Sequence, residues 1–189
     1  MVLRQLTAAD LDWLVRLHGD RRVMRFIDEG EPVPRSVTAW QTLPAILREY
    51  AELPDGMGCY AATLRGSGQP LGWLALRPPF SIGLELQTPG TAELGYRLLP
   101  EAWGKGYAAE GARALLSRAF TELGLERVVA TTMTLNVASR RVLERAGLTL
   151  LRTFLAQWPG YLDGAEHGDV VYAISRKSWL AGAAGPGPA

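Results

Sequence analysis

The sequence predicts a single α/β (α+β) domain: a mixed sheet with helices packed against it. Three observations carry this. The chain has 189 residues, 48% of them hydrophobic, enough to bury a core without metal or disulfide support. Segments with β-type and helical patterning follow one another as ββ, β, α, β, α, β, β, which leaves one or two parallel crossovers. No internal repeat suggests a solenoid or array.

The elements follow in order. "LRQL", from Leu3, is a short opening strand. In "TAADLDWLVRLHGD" Thr7 is a capping candidate, and Leu11, Leu14, Val15 and His18 share one helical face. His18 beside an apolar face reads as a structural histidine. From Ser36 to Glu52, Trp40, Leu43, Ile46, Leu47 and Tyr50 recur at helical spacing, and Pro44 predicts a bent or two-piece helix. "GMGCYAATLRGSGQPLGWLALRP" reads as two strands around a turn-rich centre, a hairpin.

Ser81 to Gly90 is predicted as a loop, and "TAELGYRLLP" as a strand stopped by Pro100. The next helix carries Ala108, Ala112, Leu115, Leu116, Ala119, Phe120 and Leu123 on one stripe, with Glu110, Arg113, Arg118 and Glu122 opposite. "LERVVATTM" is a strand and "NVASRRVLERAG" a helix ended by Gly147. "LTLLRTFLAQW" and "DVVYAISR" are two final strands around the polar loop from Pro159 to Gly168. The domain is expected over 1–180, and the Gly/Ala/Pro tail 181–189 is expected to be disordered.

Charge and composition remove several classes of function. Twenty Lys and Arg against 19 Asp and Glu give a net charge of +1, with no basic block, which argues against nucleic acid or an anionic membrane as partner. One cysteine and two histidines provide no metal-ligand spacing. Cys59, inside an apolar run, reads as a buried inert thiol. Polar residues interrupt the N-terminal segment, and no apolar run approaches the roughly 18 residues of a membrane span, so a cytoplasmic protein is expected.

The chemistry concentrates in "PEAWGKGYAAEGARALLSRAF". A strand ending at Pro100, then Gly104, Lys105 and Gly106, then a helix, leaves first-turn backbone N–H groups unobstructed, as an anion site requires. The same glycines would serve a bare tight turn. A P-loop is excluded because no Lys-Ser/Thr follows at the right spacing. Gly104, Gly106 and Ala109 do match the Gly-x-Gly-x-x-Ala spacing of a dinucleotide fold, yet the next strand ends in Thr-Thr-Met and its acid, Glu126, lies at the wrong end.

The segment "LLPEAWGKGYAAEGARALL" resembles the acetyl-CoA-binding motif of the GNAT N-acetyltransferases, Gln/Arg-x-x-Gly-x-Gly/Ala, which falls on Trp103, Gly106 and Ala108. Trp103 departs from Gln or Arg, as the RimJ/RimL-like branch commonly allows. "NVASRRVLERAGL" is similar to that branch's Asn-x-x-Ser-x-x-x-Leu-Glu-x-x-Gly, and "DVVYAISRKSW" resembles its last strand. The resemblance spans Leu3 to Trp179. It implies a twisted, mostly antiparallel sheet of about seven strands with helices on both faces, splayed between strands 4 and 5, where the pantetheine arm lies.

It also implies the chemistry: acetyl-CoA as cosubstrate, no metal, and direct attack by a primary amine, from a protein N-terminus or a small molecule. Backbone groups of Tyr96, Arg97 and Leu98 would pair with pantetheine and help hold the acetyl carbonyl. Gly104, Lys105, Gly106, Tyr107, Ala108 and Ala109 would hold the pyrophosphate. Asn136 would reach pantetheine, although an Asn there also serves as a helix cap. The tyrosine that commonly protonates the leaving thiolate, seven residues after this Asn, is replaced by Leu143. The branch with Ser three residues after this Asn has that hydroxyl near the sulfur, so the resemblance implies Ser139 as the candidate donor, with first-turn capping as its structural alternative. Glu93 is the candidate base, or else a solvated strand acid; with Leu143 at the usual acid's position, a CoA-binding regulatory protein that has lost catalysis is the alternative reading, beside an acetyltransferase for a small amine or an aminoglycoside. Tyr172 is a reserve acid. Arg140 and Arg141 are candidates for the 3′-phosphate, and Trp40, Trp158 and Tyr161 for the acceptor site or the core. A monomer or homodimer is expected.

Overall fold

In the computed structural model, which describes residues 1–79, 86–155 and 162–183, seven strands form one sheet. They are β1 (Val2–Gln5), β2 (Gly58–Thr63), β3 (Pro70–Arg77), β4 (Thr91–Leu98), β5 (Arg127–Met133), β6 (Thr149–Phe154) and β7 (Asp169–Ser175). Their spatial order is β1-β2-β3-β4-β5-β7-β6. Every neighbouring pair is antiparallel except β4 with β5. The expected fold class is observed.

Seven α-helices accompany the sheet among the described residues: α1 (Leu11–His18), α2 (Arg21–Met24), α3 (Arg35–Val37), α4 (Leu43–Glu52), α5 (Tyr107–Thr121), α6 (Val137–Ala146) and α7 (Arg176–Ala183). A 3-10 turn, Ala8–Asp10, precedes α1. There the Asp10 carboxylate accepts from the Thr7 N–H at 2.8 Å and is clamped by Arg4 at 2.7 and 2.8 Å. α7 runs three residues into the segment expected to be disordered, and residues 184–189 lie outside the described ones.

Strand alternation separates two cores. Cys59 and Ala61 of β2 and Trp73 and Ala75 of β3 pack with Leu14 and Leu17 of α1 and Leu43 and Ile46 of α4. Tyr60, Ala62, Leu74 and Leu76, one residue out of phase, pack on the other side with Leu115, Leu116, Ala119 and Phe120 of α5. Each fully buried leucine contributes about 1.5–3 kcal/mol of hydrophobic stabilisation. Gly111 lets α5 sit close to the sheet, since a Cβ there would meet Leu74 Cδ2 at 2.7 Å. Cys59 is fully buried, and burial pushes its thiol up to about 12, consistent with the inert role expected of it.

Pro44 does divide its helix. It lacks the N–H for an i to i−4 bond, and the chain inserts a π turn over Thr38–Thr42, with the Leu43 N–H donating to the Thr38 carbonyl. The widened turn takes Trp40 off the apolar stripe. Trp40 is 82% exposed, so its expected alignment with Leu43 and Ile46 in a core is corrected. β6 ends at Phe154, earlier than the expected strand, whose last residues, 156–158, lie outside the described ones. The final "RKSW" is helical and starts α7.

The one parallel pair is short. β4 and β5 register only at Thr91 with Arg127, Ala92 with Val128 and Glu93 with Val129. Beyond Glu93, β4 keeps its pairing to β3 as far as Leu98, and β5 its pairing to β7 as far as Met133. The sheet therefore opens between strands 4 and 5.

Candidate active site

The gap leads along β4 to the Gly-Lys-Gly turn. Pro100 has no N–H to continue a ladder, and a 3-10 turn, Pro100–Ala102, ends the strand's path. The Trp103 indole N–H then donates to the Leu98 carbonyl at 2.8 Å, folding the turn back on the strand it left. Gly104 and Gly106 have φ of +71° and +83°, where side chains other than glycine are strained. A Cβ at either would meet nothing within 4 Å. The backbone accounts for both glycines, and the space in front of them is open.

Gly106 is the N-cap of α5 and offers no side-chain acceptor, so the first-turn N–H groups of Tyr107, Ala108 and Ala109 have no capping partner. Lys105 is exposed beside them. The acid in this first turn, Glu110, is paired with the N-terminal amino group of Met1 at 2.5 Å. A cradle of open N–H groups at the positive end of a 15-residue helix suits a pyrophosphate, so the residues present fit the cosubstrate that the sequence suggests.

Side chains of β4 divide between the two faces of the opened sheet. Tyr96 lies on the α5–α6 side, where its Oη is 2.8 Å from Ser139 Oγ and 3.0 Å from the Ser139 carbonyl oxygen. Burial raises the Tyr96 phenol, with the Ser139 hydrogen bond acting in the opposite direction. Arg97 lies on the α1–α4 side, its guanidinium 5.4 Å from the Trp73 ring centroid and 3.9 Å from Asp28 Oδ2. Burial lowers the Arg97 value, and Asp28 partly offsets this.

Glu93 shares the parity of Arg97 and occupies the last β4–β5 rung, half-buried where the gap begins. Its partner across β3 is Arg77, which pairs with Glu49 at 2.9 Å. His18, 2% exposed, accepts the Trp73 indole N–H at Nε2, 3.2 Å away. The structural role expected of it is observed. Burial first, and the nearby Arg97 charge second, lower His18 to about 4.

Asn136 caps α6, its Oδ1 accepting the Ser139 N–H at 3.1 Å, which leaves the side-chain NH2 as the group able to meet a ligand. Leu143 is 1% exposed and belongs to the core. The reserve acid Tyr172 is equally buried; it donates to Glu144 Oε1 at 2.7 Å and accepts from Arg140 Nε at 3.2 Å. That network ties β7 to α6. Arg140 also donates to the Thr134 carbonyl, so its guanidinium is engaged within the fold, whereas Arg141 is exposed. Trp158 and Tyr161 lie outside the described residues.

The structure thus places Tyr96, with Asn136 and Ser139, on one face of the opened sheet, Glu93 and Arg97 on the other face, and Gly104 to Ala109 at the end of the gap. Sequence reasoning missed three side chains: the Trp103 indole, the Tyr96 hydroxyl and the Arg97 guanidinium. For the last two the signal was present, because neighbours on a strand must face opposite ways.

Known proteins share the fold and sequence of this chain. The model of an acetyltransferase (GNAT) domain matches residues 1–149. The FsC-acetyl coenzyme A-N(2)-transacetylase of Aspergillus fumigatus is 35% identical over 174 residues, 89% of this chain and 71% of that protein. The putative ribosomal N-acetyltransferase YdaF of Bacillus subtilis is 30% identical over 182 residues, 95% of this chain and 93% of that protein. The spermidine N-acetyltransferase of Vibrio cholerae, solved with CoA and spermine, shares the fold with a TM-score of 0.74 at 19% identity, over 95% of this chain and 97% of that one. With its opened β4–β5 pair, its glycine turn and a matching domain model over most of its length, the chain belongs to the GNAT family and is an N-acetyltransferase.

Proposed function

We propose that this enzyme transfers the acetyl group of acetyl-CoA to a primary amine by direct attack in a ternary complex. The observation that carries the proposal is the gap that starts after Glu93 and ends at the open N–H groups beyond Gly106. Gly104 to Ala109 would hold the pyrophosphate, and the β4 backbone from Tyr96 to Leu98 and the Asn136 amide would hold the pantetheine arm. Backbone donors along the gap would also stabilise charge on the acetyl oxygen. Glu93 would take the amine proton, directly or through water, and Ser139 would donate to the sulfur.

A small-molecule amine is the first acceptor class. Its support is the 35% identical relative, named for transfer to an N(2) nitrogen. A protein N-terminus, as in the RimJ/RimL-like branch, is the second, supported by the 30% identical putative ribosomal enzyme.

Thermal unfolding with acetyl-CoA or NAD, each at about 100 times its dissociation constant, tests the cosubstrate. Linkage at that excess is worth about 2.7 kcal/mol, a rise of roughly 5–10 °C for a domain of this size. A rise with acetyl-CoA alone is expected. A rise with NAD alone, or with neither, overturns the proposal. Thiol release from acetyl-CoA with spermidine, kanamycin, free amino acids and a short peptide then separates the acceptor classes.

A further inference from the structure

We infer that Tyr96 is a positioning residue for acyl transfer: its hydroxyl, bonded to Ser139 across the mouth of the gap, directs the Ser139 O–H toward the departing sulfur. The inference rests on the acetyl-CoA reading above. It starts from two distances, 2.8 Å from Tyr96 Oη to Ser139 Oγ and 3.0 Å to the Ser139 carbonyl oxygen. One phenolic proton faces two acceptors. When it goes to the carbonyl, the Ser139 proton is drawn back to Tyr96 Oη; when it goes to Oγ, the Ser139 proton is released to point elsewhere.

Other features hold the pair in this choice. The Ser139 N–H is already occupied by Asn136 Oδ1, which fixes the first turn of α6. Ser139 is the sole hydroxyl residue of α6, and Leu143, one turn further on, is sealed in the core. Tyr96 stands on the stretch of β4 that has left β5, while α6 follows β5 in the chain, so the hydrogen bond bridges the opening itself. Burial keeps the phenol protonated at neutral pH.

The step is one of hydrogen bonding. As the carbon–sulfur bond breaks, its electron pair stays on sulfur and the Ser139 O–H donates to it, while the Tyr96 O–H donates to Ser139 Oγ. Both hydroxyls keep their protons. The amine's proton leaves through Glu93 to solvent, and the thiolate is reprotonated from solvent after release.

The test compares binding of CoA and desulfo-CoA by titration calorimetry near pH 8.5, where about half of an ordinary thiol is ionised. It uses the wild type, Tyr96→Phe, Ser139→Ala and the double variant. A charge-assisted hydrogen bond to sulfur predicts about tenfold tighter binding of CoA than of desulfo-CoA by the wild type. Each single variant should lose most of that preference while keeping its affinity for desulfo-CoA, and the double variant should be no worse than either single one. Desulfo-CoA affinity controls for folding. The inference is overturned if Tyr96→Phe keeps the preference, or if the wild type has none. If neither ligand binds the wild type, the acetyl-CoA reading itself has failed.

Discussion

The indole N–H of Trp103 donates to the carbonyl of Leu98 across 2.8 Å, so the residue standing where the motif has Gln or Arg fastens the glycine turn to the end of β4. Trp103 is 45% exposed, and little packing depends on its ring. Trp103→Phe should therefore cost stability only about 1 kcal/mol, the net worth of one hydrogen bond. CoA affinity should fall more visibly, about three- to tenfold, because the N–H cradle loses its preorganisation. Calorimetric titration with CoA, alongside a thermal melt, checks both; unchanged affinity would mean that the clasp does not serve the ligand.

Gly106 and Gly124 form a matched pair for separating strain from obstruction. Their φ values are +83° and +64°, and a Cβ at either meets nothing within 4 Å. Valine at each position should cost comparable stability, at least the roughly 1–2 kcal/mol of a left-handed residue. Only Gly106→Val should abolish CoA binding, since only that side chain enters the cradle. If the two variants bind CoA equally well, the turn has no part in holding the cosubstrate.

The legible parts of the molecule are those set by local pattern. β2, β3 and α5 follow from alternation and from an apolar stripe, and the two glycines from a backbone shape that other residues resist. α2 went unread because a four-residue helix has no periodicity to detect. The π turn was half-read: Pro44 announced a break, but how the backbone absorbs it, and hence the exposure of Trp40, is a tertiary outcome. In the site, Asn136 and Ser139 were found through the family resemblance of the segment that begins at Asn136. Their partnership with Tyr96 was not, because it joins residues 43 positions apart and depends on where β4 parts from β5. The opening itself was expected only through the family resemblance, since no local preference records the absence of a strand pairing.

Glu93 sits at the last rung before that opening, so removing its charge tests whether the amine gives up its proton there. Glu93→Gln keeps shape and hydrogen-bonding capacity. CoA affinity should stay within a few-fold of wild type, while kcat falls roughly 100- to 10,000-fold, the usual worth of a positioned base. Steady-state kinetics with an identified amine decides. Unchanged kcat would leave Glu93 as an ordinary strand acid facing Arg77.

His18 makes the stability of the fold depend on pH in a defined window. Buried against Trp73 and near Arg97, it titrates at about 4 in the folded protein, against 6.5 ordinarily. Between these values the unfolded chain binds a proton that the folded one refuses. Stability is therefore fully present above pH 6.5, is lost as pH falls toward 4, and is not reduced further by this group below that. The full effect is about 3 kcal/mol. Burial alone would raise Asp10, but hydrogen bonds from Arg4, Trp13 and Thr7 hold it well below the ordinary carboxylate range. Its contribution is lost only in more acid solution, which leaves the His18 window clear. In urea titrations at about pH 7.5 and 4.5, the wild type should lose about 2–3 kcal/mol more than His18→Gln, whose amide can still accept from the Trp73 indole. Equal losses would show that His18 takes up its proton in the folded state as readily as in the unfolded chain.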